Sequence, residues 1–108
     1  MDIKEKVKVC DLSDLPPYQG RAAIISGEQV ALFNVPNIGV YAVQNWDPIG
    51  KAHVMSRGIV GDVNGHLCVA SPLYKQHFRL DNGECIERPE NRLKCWKVDV
   101  ESGAVVVS

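Results

Sequence analysis

The stretch VASPLYKQHFRLDNGEC, residues 69–85, decides how the rest of the chain is read. A short apolar run enters Ser71-Pro72-Leu73-Tyr74, crosses the polar Lys75-Gln76-His77, and leaves through Phe78-Arg79-Leu80 into an Asp81-Asn82-Gly83 turn. Apolar residues on either side of a proline-led loop, closed by an Asn-Gly turn, predict two strands joined by an exposed tip. The loop has the outline of half a metal-binding site. Yet it lacks the residues that would hold a metal.

The pattern continues in both directions. IKEKVKVC (3–10) alternates, with Lys4, Lys6 and Lys8 assigned to one solvated face. DLSDLPPYQG (11–20) interrupts it, since Pro16-Pro17 offers no amide donors to a ladder. GRAAIIS (20–26) and QVALFNV (29–35) read as a hairpin about Gly27-Glu28, and NIGVYAVQN (37–45) continues the meander. GHLCVA (65–70), QHFRL (76–80) and ECIERP (84–89) are further strands. LKCWKVDV (93–100) should turn Trp96, Val98 and Val100 inward, and AVVVS (104–108) should pair back on it across Ser102-Gly103. WDPIGKAHVMSRGIVGD (46–62) is left as a long connection with one helical turn near Ala52, Val54 and Met55, bracketed by Gly50 and Gly58. About nine or ten short strands in one small domain predict an all-β antiparallel sandwich or partly closed barrel, with at most short helical turns. We find no repeat, low-complexity tract or linker, so residues 1–108 are expected to form a single domain.

Composition removes several classes of function. Twelve basic and thirteen acidic residues give a net charge of −1, with no bias toward nucleic acid or an anionic membrane. No run approaches the ~20 apolar residues of a membrane span, and MDIKEKVKVC lacks the unbroken apolar core of an export signal. The expectation is a cytoplasmic protein with reduced thiols at Cys10, Cys68, Cys85 and Cys95. Dinucleotide, phosphate-loop, zincin and nucleophile-elbow motifs are missing. His53, His66, Cys68, His77 and Cys85 could supply a Cys/His site, but they lack the close pairing that structural zinc sites use. Cys95, with Lys94 and Lys97 nearby, is the candidate reactive thiol, set against an inert buried one. Lys75 and Arg79 are the basic residues nearest a loop that could face a partner.

On these residues the segment from Asn45 to Cys85 resembles the cluster-binding region of Rieske-type ferredoxins. There a Cys-x-His box and a Cys-Pro-x-His box, the second followed by Phe-x-Leu and a Gly turn, hold an iron–sulfur cluster with two thiolates and two imidazoles. The corresponding positions here are Asn45 and Asp47 in the first loop and Ser71 and Tyr74 in the second. All four ligand positions are therefore substituted, and amide, carboxylate, hydroxyl and phenol do not reproduce that donor set. The 23 residues between Asp47 and Ser71 also make a longer connection than is usual in those ferredoxins.

Over nearly all of residues 3–108, and most specifically from Ala70 to Cys85, the chain resembles the small subunits of assimilatory NAD(P)H-dependent nitrite reductases. That resemblance implies a Rieske-like domain without a cluster or other cofactor. It implies a large-subunit partner carrying FAD, an iron–sulfur cluster and sirohaem, which reduces nitrite to ammonium. Trp46, Leu73 and Lys75 are the residues expected to meet that partner, an aromatic anchor among polar neighbours being typical of interfaces. The alternatives are an electron carrier with a cluster on other ligands (Cys68, Cys85, His66, His77) and a stand-alone thiol or ligand-binding module.

Overall fold

The computed structural model describes residues 6–108. Among them lie β1 (Val7–Asp11), β2 (Gly20–Ile25), β3 (Glu28–Val35), β4 (Gly39–Gln44), β5 (Trp46–Asp47), β6 (Ala52–His53), β7 (Ile59–Val63), β8 (His66–Ala70), β9 (His77–Arg79), β10 (Cys95–Trp96), β11 (Val98–Glu101) and β12 (Ala104–Val107). Two single 3-10 turns, Leu12–Asp14 and Met55–Arg57, are the helical content of the described residues. None of it is long and apolar enough to cross a membrane.

The strands form open antiparallel sheets of order β10-β4-β3-β2, β1-β12-β11 and β7-β8-β9, with β5-β6 as a separate pair. The fold is all-β, as the sequence implies, and no sheet closes into a barrel. The reason for the layering lies in β3. Its run Val30-Ala31-Leu32-Phe33 is buried on both faces. Alternation sends Ala31, Phe33 and Val35 to one side, where they meet Met55, Val69, Phe78 and Leu80. Val30 and Leu32 go to the other side and meet Leu15, Val105 and Val107. The β2–β4 sheet thus lies between the β7–β9 sheet and the β1-β12-β11 sheet. Burying one such Leu or Phe contributes about 1.5–3 kcal/mol, so the two clusters supply the main stabilisation.

Several expectations need correction. The first hairpin turns on Ser26-Gly27, not Gly27-Glu28, because Ile25 pairs with Glu28 and both turn residues take positive φ (50° and 82°). SRGIVGD is not all connection: Ile59–Val63 forms β7 and pairs with β8 across Asn64-Gly65. ECIERP is not a strand. It makes isolated bridges Phe78↔Cys85 and Glu84↔Arg92 before Pro89 removes a donor. LKCWKVDV breaks at Lys97 into β10 and β11, which belong to different sheets. Trp96 and Val98 pack against the core, but Val100 is exposed because β11 is an edge strand. Lys6 and Lys8 are solvated as expected, and Lys4 lies outside the described residues.

Candidate functional site: two matched loops

Two loops leave the sandwich side by side, one after β4 and one after β8. Asn45 anchors the first. Its amide nitrogen donates to Gln29 Oε1 (3.0 Å), and its Oδ1 accepts from Ser56 N (2.8 Å). Its backbone carbonyl accepts from Val54 N and Met55 N (3.0 Å each). The side chain is buried and fully engaged, so Asn45 pins the returning segment 54–56 against β3 and β4.

Asp47 and Ser71 join the loops. Asp47 is wholly buried, and its Oδ1 accepts from Ile49 N (2.8 Å) and Gly50 N (3.0 Å). Its Oδ2 accepts from the Ser71 hydroxyl. Ser71 Oγ in turn accepts from Leu73 N (3.3 Å). A buried carboxylate is tolerated only when its lone pairs are satisfied in this way. With Asn45, these are the buried polar residues of the described chain, so three of the four positions read as degenerate ligands are interior polar groups bonded within the protein.

The two loops also share one conformation. Asp47-Pro48-Ile49-Gly50-Lys51 and Ser71-Pro72-Leu73-Tyr74-Lys75 follow the same pattern. In each, the first side chain accepts from the backbone N–H two residues on, and the first carbonyl accepts from the fifth residue (Lys51 N 2.7 Å, Lys75 N 2.9 Å). In each, the closing lysine takes a left-handed φ, 57° and 56°. This five-residue recurrence is too short to form a repeat and is not among the features read from the sequence above. The recurrence of a hydrogen-bonding residue, Pro, a branched aliphatic residue and a Lys four places on was its signal. The loops pack so closely that a Cβ on Gly50 would lie 2.5 Å from Leu73 Cδ1 and 2.8 Å from Asp47 Oδ2.

Tyr74 behaves differently. It is 65% exposed, while Trp46 and Leu73 are 38% and 45% exposed and Lys75 is exposed too. Trp46 meets His53 edge to face at 4.8 Å between ring centroids. Hence neither Trp46 nor Tyr74 fills the space between the loops; the Asp47–Ser71 bond and Leu73 over Gly50 do.

The other candidates disperse. His77 Nδ1 lies 2.6 Å from Glu87 Oε2, His66 is exposed at the β7–β8 turn, and Cys68 and Cys85 are buried. No three His, Cys, Asp or Glu side chains converge among the described residues. Burial pushes all four thiols up, Cys68 to about 11, which removes Cys95 as a low-pKa nucleophile. Arg79 is held in a fork by Asp81 (3.0 and 2.6 Å), which takes it out of any basic patch.

The family model described as a Rieske-like [2Fe-2S] domain matches residues 5–108. The nitrite reductase (NADH) small subunit of Salmonella typhimurium is 41% identical over 98 residues, which cover 90% of this chain and 91% of that protein. The chain belongs to the Rieske-like nitrite reductase small-subunit family. A crystal structure assigned to a nitrite reductase NADPH small subunit superposes with TM-score 0.94 at 59% identity, covering 97% of this chain and 99% of that one. The nitrite reductase (NAD(P)H) large subunit of Klebsiella oxytoca is also 41% identical over 99 residues, but these are 92% of this chain and 10% of that protein. So the chain spans about a tenth of that relative, and this small-subunit domain also occurs within a much longer chain. The broader Rieske-like family implies a 2Fe-2S cluster, and the residues here do not fit one. The ligand positions carry no thiolate or imidazole, and the oxygens of Asp47 and Ser71 are committed to each other and to backbone amides.

Proposed function

We propose that this chain is a cluster-free accessory subunit, one domain over residues 1–108, of a cytoplasmic NAD(P)H-dependent nitrite reductase. It acts by binding the large subunit. That partner carries FAD, an iron–sulfur cluster and sirohaem, and reduces nitrite to ammonium in nitrate assimilation. The chain itself performs no chemical step and engages neither nucleic acid nor membrane. Its contact surface is the pair of loop tips, with Trp46 and Leu73 as apolar anchors and Lys75 at their rim.

One observation carries the reading: the two loops that frame a cluster in the Rieske pattern are closed on each other by Asp47 and Ser71, with apolar side chains left outside. A rigid tip with exposed aromatic and aliphatic residues is pre-organised for docking, because little conformational freedom is lost on contact. The Klebsiella relative supports the choice of partner, since there the matching segment forms part of a chain named as the large subunit.

The test is to titrate the purified large subunit with this chain and follow NAD(P)H-dependent nitrite reduction. The reading expects a defined complex and a change in turnover or in large-subunit stability. If the large subunit shows no complex with this chain, and works and survives equally well without it, the reading is wrong.

A further inference from the structure

The loop face carries three cations that the fold leaves uncompensated. Lys51 and Lys75 close the two matched turns, and Arg57 ends the 3-10 turn beside them. All three are exposed. None takes part in the ion pairs recorded among the described residues, which instead engage Lys6, Lys8, His77, Arg79, Arg92 and Lys94. Two nearby carboxylates are already engaged, Asp47 within the loops and Asp81 by Arg79; Glu87, against His77, is offset only while that ring is protonated. Asp62, on β7 three residues beyond Ile59, is the exposed acid closest in sequence.

Apolar surface lies among these charges. Arg57 and Lys75 line one cavity of about 410 Å³ together with Ile59, Ala70, Pro72 and His77. Ile59 is 77% exposed, a heavy exposure for a branched aliphatic residue on a strand. Leu73 stands over Gly50, next in sequence to Lys51, so Lys51 closes the loop that packs against the one carrying Lys75. The chain as a whole is net negative, so this positive face is a local arrangement and not a reflection of bulk charge.

We propose that the loop face docks on an acidic surface of the large subunit. There, carboxylates meet Lys51, Arg57 and Lys75, and an apolar side chain enters the cavity between Arg57 and Lys75. This rests on the accessory-subunit reading and adds Lys51, Arg57 and Ile59 to its interface. Cations on the two αL-closed turns sit at fixed positions, so they steer encounter as well as fix register.

The experiment measures association of the full chain with purified large subunit at low and physiological salt, by stopped-flow fluorescence. Wild type is compared with Lys51→Glu/Arg57→Glu/Lys75→Glu, with the neutral Lys51→Gln/Arg57→Gln/Lys75→Gln, and with Lys97→Glu, an exposed reversal at the β10–β11 junction, outside the cavity that Arg57 and Lys75 line. A thermal melt of each variant confirms folding. The triple reversal should slow association about tenfold or more at low salt, the neutral variant less, and the difference should shrink as salt rises. Lys97→Glu should stay within about twofold of wild type, since it lies outside the docking face. Wild-type binding with a triple reversal no slower than Lys97→Glu overturns the acidic-surface proposal and leaves the accessory-subunit reading standing. Failure of wild type to bind at any salt takes down both.

Discussion

Replacing Asp47 by alanine removes three accepted hydrogen bonds at once: Ile49 N, Gly50 N and the Ser71 hydroxyl. Bonds to a charged acceptor contribute roughly 1.5–3 kcal/mol each, but water can reach the half-buried backbone donors and recover part of the loss. The net cost is therefore about 3–5 kcal/mol, a large share of the ~5–15 kcal/mol that holds a typical domain. For a chain this size that corresponds to a fall in Tm of about 12–20 °C. Asp47→Asn is the informative partner variant. Its carbonyl keeps both backbone donors, and its amide donates to Ser71 Oγ, which turns to accept. The cost should then be about 1–2 kcal/mol. In a urea-unfolding cycle with Ser71→Ala, the two positions should couple by about 1–3 kcal/mol. If Asp47→Ala costs under about 1 kcal/mol, or if the two substitutions add within about 0.5 kcal/mol, Asp47 and Ser71 do not brace the loops.

Three further outcomes follow from the same geometry. Gly50→Ala should destabilise by about 1–3 kcal/mol through overpacking, and Leu73→Ala in the same chain should relieve only the part due to Leu73 Cδ1, since the contact with Asp47 Oδ2 stays, as read by thermal melting. Trp46→Ala and Leu73→Ala should each weaken large-subunit binding by about 2 kcal/mol, roughly thirtyfold by calorimetry, with Val100→Ala as an exposed control without effect. Burial pushes the Cys68 thiol up to about 11, from an ordinary value of 9.0. Between those values the unfolded chain has lost the proton and the folded chain retains it, so stability should fall as pH rises from about 9 to 11. Cys68→Ala should flatten that slope, and Cys68 should resist alkylation at neutral pH.

The fold was legible where burial and turn chemistry agree. Val30–Val35 reads as a strand because all of its residues but Asn34 are apolar, as suits a short strand covered on both faces. Ser102-Gly103 fixed one hairpin for the reason that both residues of such a turn need positive φ. β7 escaped because Ile59-Val60-Gly61-Asp62-Val63 has little burial to declare it, and its pairing with β8 is the evidence for it. Ser71 and Tyr74 were singled out from the sequence by their frame of Pro72, Phe78 and Gly83. What they do was not legible. Asp47 and Ser71 meet across 24 positions of sequence, and no periodicity reports a contact at that range. The common turn at Asp47–Lys51 and Ser71–Lys75 was visible as letters but gained meaning from the shared hydrogen bonds.

We propose that Asp47 and Ser71 hold this Rieske-like frame in place of a cluster. The most direct measurement is iron and acid-labile sulfide per chain, with a visible spectrum, on anaerobically purified protein. The protein should carry less than about a tenth of an equivalent of either and show no charge-transfer bands. About two iron and two sulfide per chain, with those bands, would contradict it.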